Sequence, residues 1–269
     1  MAVLAGIIAQ LLEDQLGHIG PFQGAIALTM LALILILRWE ENYGESKEGS
    51  HETSSLYSQF TDGWKATIGD SKIWRIGFTQ AMSEGAMYTF VFMWVPTLLS
   101  MEPPGGVPTG CVFSSLMIAI TMGGFLFPIL HNFLKNFLKS KESSSEVTAT
   151  VVYGFASLSM SVPAWCLSVA KSRSICFKKV LVSFVIVELC VGLFNPVAAT
   201  LRSKYVPDNL QGGILNIFRL PLNIVVVSGT YATDFLPTEQ VFMLVSACFL
   251  IAAICQATMI SFADKKKID

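Results

Sequence analysis

The chain has 269 residues, of which 53% are hydrophobic and only 14% are charged, and its formal net charge is -1. Soluble globular domains have nearer a quarter of their residues charged, so this composition excludes an ordinary soluble domain and predicts an integral membrane protein. The six cysteines show neither the paired spacing of a metal site nor a secreted disulfide framework, and we interpret them as small buried side chains.

Apolar runs separated by polar loops predict the helices that cross the membrane. The first run, residues 1–12, ends at Glu13 and is shorter than the roughly 20 residues that a helix needs to cross the hydrocarbon, so we interpret it as the end of a span. Seven longer runs predict complete helices at residues 22–37, 73–99, 112–130, 147–169, 177–200, 214–231 and 241–262.

A polar segment of mixed charge, residues 38–72, separates the second apolar run from the third. Mixed glutamate and lysine content of this kind is typical of a solvated linker. Six predicted helices follow it, and six is the size of one half of a transporter built from three-helix repeats of opposite topology. The segment therefore predicts a boundary between two membrane domains.

The distribution of lysine and arginine over alternating loops predicts the orientation in the membrane. Thirteen of the 18 basic residues lie on the side of the linker and the C-terminus, four lie in the connection near residues 171–179, and the last is Arg219. The linker and the C-terminal tail are therefore predicted to be cytoplasmic. The membrane is predicted to be the plasma membrane, with an endomembrane as the alternative.

Two predicted helices share a pattern that suggests weak internal symmetry. Each begins one triplet of the six, and each has a carboxylate at membrane depth followed by a proline, Glu84 with Pro96 and Glu188 with Pro196. Two equivalent helices, each acidic and each interrupted by its proline, would suit a binding site near the bilayer midplane at a repeat interface. We therefore expect these helices to be interrupted at the site.

Arg219 lies inside the predicted helix 214–231, where an arginine costs about 2.5 to 3.5 kcal/mol. Asn216 and Asn223 lie three residues before it and four after it, so all three share one helix face and offer hydrogen bonds to a negative group. The alternative is a packing arginine that pairs with a carboxylate or extends to the cytoplasmic side.

Gln80, Glu84 and Tyr88 recur every four positions and form one polar face on an otherwise apolar helix. This pattern predicts a cavity wall with a carboxylate that acts as a proton carrier or as a counter-ion to Arg219. A purely structural ion pair with Arg219 is the alternative.

Glu188 is flanked by apolar residues, so it is expected to face protein or water, and Asn195 lies on nearly the same face seven residues later. Hydrogen bonds that only join helices are the alternative for both residues. Arg202 and Lys204 directly follow the span, and we attribute them to orientation by positive charge.

Five segments carry a resemblance to a known family: Gln80-Ala-Met-Ser-Glu84, Phe90-Val-Phe-Met-Trp-Val-Pro96, Val112-Phe-Ser-Ser-Leu-Met117, Glu188-Leu-Cys-Val-Gly-Leu193 and Gly213-Ile-Leu-Asn-Ile-Phe-Arg-Leu-Pro-Leu222. With these segments the chain resembles the molybdate-anion transporter family of the major facilitator superfamily. The resemblance implies a twelve-helix carrier with cytoplasmic termini. Residues 5–12 resemble the end of the fifth helix of that family, so an N-terminally truncated chain is expected.

The implied fold class is an all-α polytopic membrane bundle with one complete six-helix half and the last one to two helices of the other half. The expected domains are the end of the N-terminal half at 1–37, the linker at 38–72, the C-terminal half at 73–263 and a tail at 264–269. Alternating access then moves molybdate or a related oxyanion. Expected substrate-binding residues are Arg219, Asn216, Asn223, Gln80 and Tyr88, and expected counter-ions or proton carriers are Glu84 and Glu188.

The expected partners are the oxyanion, the lipid bilayer, and the missing N-terminal half or a full-length partner, without nucleic acid, cofactor or metal. Two alternative functions remain open on the sequence. A truncated isoform could serve as a non-transporting scaffold for another membrane protein, and the helix count alone suggests a seven-helix receptor, which the long linker disfavours. An enzyme is not expected, because no nucleophile with a base, metal cluster or nucleotide loop appears.

Overall fold

The computed structural model describes residues 2–39, 56–101, 103, 106–137, 143–169 and 173–265. Within these ranges the chain is all-helical. The helices are α1 (Ala2–Leu16), α2 (Gly20–Ile36), α3 (Leu56–Gly69), α4 (Ser71–Leu99), α5 (Thr109–Phe137), α6 (Ser144–Val169), α7 (Arg173–Tyr205), α8 (Gln211–Phe235) and α9 (Thr238–Lys265), with a short 3-10 turn at Asp208–Leu210.

Every predicted apolar run coincides with a helix of the structure. Five helices of the described residues, α5 to α9, are long and apolar enough to cross a membrane. The other two predicted complete spans differ from these: α2 has 17 residues and is shorter, and α4 has 29 residues but is more polar. All-helical architecture with several spans agrees with the predicted membrane bundle.

Helix α3 lies inside the segment predicted to be a solvated linker. Its Gly63 packs closely against α8, since a Cβ at that position would lie 3.2 Å from Ile217. Phe60, Trp64 and Ile68 are exposed and recur every four residues, so they share one face of α3. The part of the linker at 40–55 lies outside the described residues, as does the end of the tail at 266–269.

The core lies between α4, α6, α7 and α9, and aromatic rings connect these helices. Phe184 of α7 contacts Phe90 of α4 and Phe242 of α9, with ring centroids 5.0 and 5.5 Å apart. Ser157 of α6 and Ser246 of α9 donate hydrogen bonds to each other's backbone carbonyl oxygens at 2.9 and 2.8 Å. Such reciprocal bonds satisfy polar groups between helices in an apolar surrounding.

Two glycines bring α5 and α7 into backbone contact. A Cβ on Gly123 would lie 2.1 Å from the Leu189 carbonyl oxygen, and a Cβ on Gly192 would lie 2.0 Å from the Ile120 carbonyl oxygen. No side chain fits at these distances, so the close approach depends on glycine at both positions.

Helix α1 docks on α5 through a second pair of glycines. A Cβ on Gly6 would lie 2.9 Å from the Gly110 carbonyl oxygen, and a Cβ on Gly110 would lie 2.5 Å from the Gly6 carbonyl oxygen. The Gly110 backbone N–H also donates to Gln10 Oε1 at 2.9 Å. Helix α2, in contrast, is exposed along almost its whole length.

The expected interruption of α4 and α7 at their prolines is wrong. Both helices continue through Pro96 and Pro196, respectively. A proline removes a single backbone hydrogen bond, and a membrane helix tolerates this loss where neighbouring groups satisfy the freed carbonyl. The polar residues of these helices therefore stand on continuous helical faces.

Replacing Gly192 with alanine is expected to destabilise the protein, because the added Cβ would collide with the Ile120 carbonyl oxygen. Overpacking of this kind costs about 1 to 3 kcal/mol. The melting temperature of the detergent-solubilised full-length protein measures the effect. Gly154→Ala is the matched control, since nothing lies within 4 Å of a Cβ at that position. Equal melting temperatures for the two variants would contradict the importance of this contact.

Candidate functional site

A hydrogen-bonded chain of three side chains joins α4 to α7. Gln80 Nε2 donates to Glu84 Oε1 at 2.7 Å, one helical turn away. Arg202 Nη1 donates to Gln80 Oε1 at 3.1 Å. The Gln80 amide thus connects a carboxylate to a guanidinium, because its nitrogen donates to the carboxylate and its oxygen accepts from the guanidinium.

Two arginines from different helices interact electrostatically with Glu84. One is Arg202 of α7, which also reaches Glu84 through Gln80, and the other is Arg219 of α8. Within the described residues no ion pair of 4 Å or less joins Arg219 to Glu84, so the structural ion pair considered as an alternative is not formed as a direct contact. Helices α4, α7 and α8 therefore direct opposite charges toward one region around Glu84.

The predicted polar face of α8 is present. Asn216, Arg219 and Asn223 are all exposed on this helix, whereas Phe218 and Leu222 are buried on its other side. Phe218 packs so closely on α4 that it leaves no room for a Cβ on Gly77. Packing of the apolar side against α4 leaves the guanidinium and two amides accessible.

Tyr88 continues the α4 stripe and is 49% exposed, while Gln80 and Glu84 are half-buried. The polar face predicted from their spacing is therefore half-buried at Gln80 and Glu84 and exposed at Tyr88. Accessible amide, phenol and guanidinium groups on α4 and α8 can donate several hydrogen bonds to a small anion.

Glu188 lies on α7 and is only 3% exposed. Asn195 is exposed seven residues further along, and Arg202 follows after another seven. Residues spaced by seven share a helix face, so Glu188, Asn195 and Arg202 form one polar stripe on α7. No hydrogen bond or ion pair connects Glu188 to another residue in the part of the chain that the structure describes.

A second polar cluster fixes the C-terminal end of α7 to the start of α6. Lys204 Nζ lies 2.6 Å from Glu146 Oε1, and the Tyr205 hydroxyl donates to the same oxygen. Glu146 is fully buried. Lys204 Nζ also lies 5.1 Å from the centre of the Tyr205 ring. A buried carboxylate needs such a partner, so this cluster holds α7 in place two residues beyond Arg202.

From the sequence, Arg202 and Lys204 are expected to orient the chain by their positive charge. In the structure Arg202 donates to the Gln80 side-chain amide, and Lys204 pairs with the Glu146 carboxylate. A signal for Arg202 was present, since it continues the seven-residue spacing of Glu188 and Asn195. Nothing in the sequence around Lys204 indicates its partner, because Glu146 lies 58 positions away.

Chemically, the arrangement suits a small, doubly negative group with several oxygen atoms. A guanidinium donates in a rigid fork that matches the oxygens of carboxylate or phosphate-like groups. Charge-assisted hydrogen bonds of this type are roughly twice as strong as neutral ones.

A sequence profile of the major facilitator superfamily, described as sugar transporters with 12 transmembrane segments, matches residues 1–191. That range is more than half of the chain. It includes α1 to α6 and the first part of α7, with Gln80, Glu84 and Glu188. No solved structure shows a significant match.

Several curated proteins are similar to the chain. The molybdate-anion transporter of Xenopus laevis is 29% identical over 267 residues, which cover 96% of this chain and 54% of that protein. The molybdate-anion transporter of Danio rerio is 28% identical over 252 residues, covering 86% of this chain and 50% of that protein. The chain therefore spans about half the length of the curated relatives it matches, and these relatives are named as transporters.

Replacing Lys204 with methionine is expected to destabilise the protein by about 3 to 5 kcal/mol, because Glu146 would be left buried without its cation. Thermal unfolding in detergent measures the change, and Lys178→Met, at an exposed lysine of the same helix, is the control. Adding Glu146→Gln to Lys204→Met should restore much of the loss. A double variant as unstable as the single one would contradict this explanation.

Proposed function

We propose, from the premise that this chain belongs to the major facilitator family of twelve-helix transporters, that it forms part of a carrier that moves molybdate across a membrane. Membrane transport is the common property of the family and of the curated relatives. The substrate and the alternating-access mechanism are the proposed part. The observation that carries the proposal is the hydrogen-bonded chain from Arg202 of α7 through Gln80 to Glu84 of α4, together with the electrostatic interaction of Arg219 with Glu84.

Arg219 is the proposed primary anion ligand. It is exposed, as are Asn216 and Asn223 on the same helix, so a tetrahedral oxyanion can contact all three. Two amides beside one guanidinium provide directional donors to several oxygens of the same anion. Gln80 and Tyr88 of α4 are the further proposed contacts of the anion.

Glu84 and Glu188 are the proposed counter-ions or proton carriers. When no anion is bound, Glu84 compensates the charge of Arg219 and Arg202, which lowers the cost of holding Arg219 at membrane depth. An arriving dianion competes for the same guanidinium groups. After the anion leaves, the carboxylate again neutralises the arginines, so the empty carrier can change its orientation.

The proposed transport pathway needs a second set of helices opposite this polar face. In carriers built from repeats, the substrate site lies between two halves that rock around it. We assign residues 73–263 to one half, 1–37 to the end of the other, and 38–72 to a cytoplasmic linker before a short cytoplasmic tail at 264–269. The plasma membrane is the proposed location.

Arg219→Ala in the full-length protein is expected to reduce uptake of labelled molybdate at least tenfold, because the main anion ligand is lost. Arg219→Lys should retain part of the uptake, since the charge remains but the two-pronged fork is lost. Uptake into cells, normalised to the amount of protein at the membrane, measures both effects.

Arg38→Ala is the matched control, because Arg38 is exposed directly after α2 and far from the α8 face in sequence. Its uptake should equal that of the parent. Uptake by Arg219→Ala at the parental level would refute the role of Arg219. Uptake of another tetrahedral anion, such as sulfate, in preference to molybdate would retain the site and change the substrate.

Glu84→Gln is expected to separate two transport modes. The substituted amide can still hydrogen-bond with Gln80, but it cannot neutralise an arginine when the anion has left. Exchange of external for internal molybdate, in which the carrier is always loaded, should therefore persist, while net uptake falls several-fold. Proteoliposomes with and without internal molybdate measure the two modes. Equal loss of both would contradict a resetting role for Glu84.

A further inference from the structure

Two of the six cysteines lie side by side at the connection between α6 and α7. Cys166 is in the last turn of α6, and Cys176 is in the first turn of α7. The Cys176 Sγ lies 3.8 Å from the Cys166 carbonyl oxygen, so the two cysteines are in direct contact where α6 meets α7. They are 1% and 8% exposed, respectively, so the pair is enclosed by the surrounding helices.

This pairing differs from the situation of the other cysteines of the described residues. Cys190 and Cys248 lie within α7 and α9 as buried or half-buried side chains, and Cys255 contacts the Arg75 carbonyl oxygen. A disulfide can form only between cysteines whose backbones already lie close together, and of the cysteines in the described residues Cys166 and Cys176 are the two for which a contact with each other is observed. The interpretation of the cysteines as buried side chains agrees with the burial of Cys166, Cys176 and Cys190, whereas Cys111 is exposed.

The side of the membrane decides whether such a pair oxidises. The connection between α6 and α7 lies at the opposite ends of these helices from the α5–α6 connection and from the 3-10 turn after α7. With the linker and C-terminus in the cytoplasm, as proposed above, the α6–α7 connection faces the lumen of the secretory pathway during synthesis and the cell exterior afterwards. Disulfides form and persist on that side.

We propose that Cys166 and Cys176 form a structural disulfide that joins α6 to α7 at the non-cytoplasmic surface. A disulfide-carrying oxidoreductase of the secretory lumen supplies the oxidation by thiol–disulfide exchange. One cysteine thiolate attacks the enzyme disulfide, and the second thiolate then displaces the enzyme from the mixed disulfide. The two cysteines lose two electrons and two protons in total, and the enzyme disulfide becomes two thiols.

The bond would act at the opposite end of α7 from the cluster of Glu146, Lys204 and Tyr205. That cluster ties α7 to α6 at the cytoplasmic end. A disulfide at Cys166 and Cys176 would tie the same two helices at the other end. Helix α7, which presents Glu188 and Arg202, would then be fixed to α6 at both ends and would move with it as one unit.

The test uses the full-length protein in cell membranes, because the inference depends on the proposed orientation. Membranes are dissolved in denaturant with N-ethylmaleimide, reduced, labelled with a second maleimide and digested with trypsin. The peptides 142–171 and 174–178 contain Cys166 and Cys176 and no other cysteine. We expect the second label on both peptides, and a disulfide-linked pair of these peptides when reduction is omitted. The peptides with Cys190 and Cys248 should carry the first label.

A separate variant reports the orientation. Asp234→Cys places a thiol at an exposed position in the last turn of α8, on the same side as the cysteine pair. A membrane-impermeant maleimide added to intact cells should label it. If Asp234→Cys is labelled while Cys166 and Cys176 both carry the first label, the two cysteines are free thiols. That result would overturn the disulfide and leave the orientation intact. Failure to label Asp234→Cys while a cytoplasmic-side thiol labels after permeabilisation would overturn the orientation and the disulfide together.

Cys176→Ser tests the pairing itself. It should release Cys166, which then takes the first label, and it should lower the melting temperature of the protein. Cys248→Ser is the control and should leave the label on Cys166 and Cys176 unchanged. Retention of the second label on Cys166 in Cys176→Ser would show that Cys166 pairs with a different thiol, which contradicts the proposal.

Discussion

The hydrogen-bonded connection of a carboxylate on α4 to a guanidinium on α7 is the constraint on which the polar face depends. Gln80 mediates this connection, so Arg202 and Glu84 are connected without direct contact. Both charges are partly satisfied, yet neither is locked into a bidentate pair. Such a network lowers the cost of charge in an apolar bundle while leaving Arg219 accessible. A direct, fully buried ion pair would resist any competing anion far more strongly.

Contacts outside the network hold the helices that carry it. Glycines at 123 and 192 hold α5 against α7 at a distance that no side chain allows, and Phe218 fills the space above Gly77 between α4 and α8. The cluster at Glu146 fixes the end of α7 directly beyond Arg202. Small residues and buried polar contacts of this kind replace the hydrophobic effect, which does not drive association between helices in lipid.

The helices and the polar faces were predictable because both depend on local periodicity. Apolar runs locate the helices, and spacing by four places Gln80, Glu84 and Tyr88 on one face. The interhelical partners were not predictable, since the contact of Arg202 with Gln80 joins residues 122 positions apart. Helix α3 was missed for another reason: its three exposed apolar residues are diluted by polar neighbours, so composition indicates a linker although the spacing of Phe60, Trp64 and Ile68 indicates a helix.

Two groups of contacts hold the helices of the bundle together. Within α4 to α9, rings, serine pairs and glycine contacts interlock the helices, so relative movement would separate well-packed surfaces. Helix α1 meets this unit mainly on α5, where Gly6 and Gly110 lie close together and the Gly110 backbone N–H donates to Gln10 Oε1. Ser114 Oγ of α5 also donates to the Val3 carbonyl oxygen at 3.0 Å, so side chains as well as backbones join the two helices. The hydrogen-bonded chain of Arg202, Gln80 and Glu84 lies wholly on α4 and α7, so its geometry depends on the packing of the α4–α9 unit and not on the contact with α1.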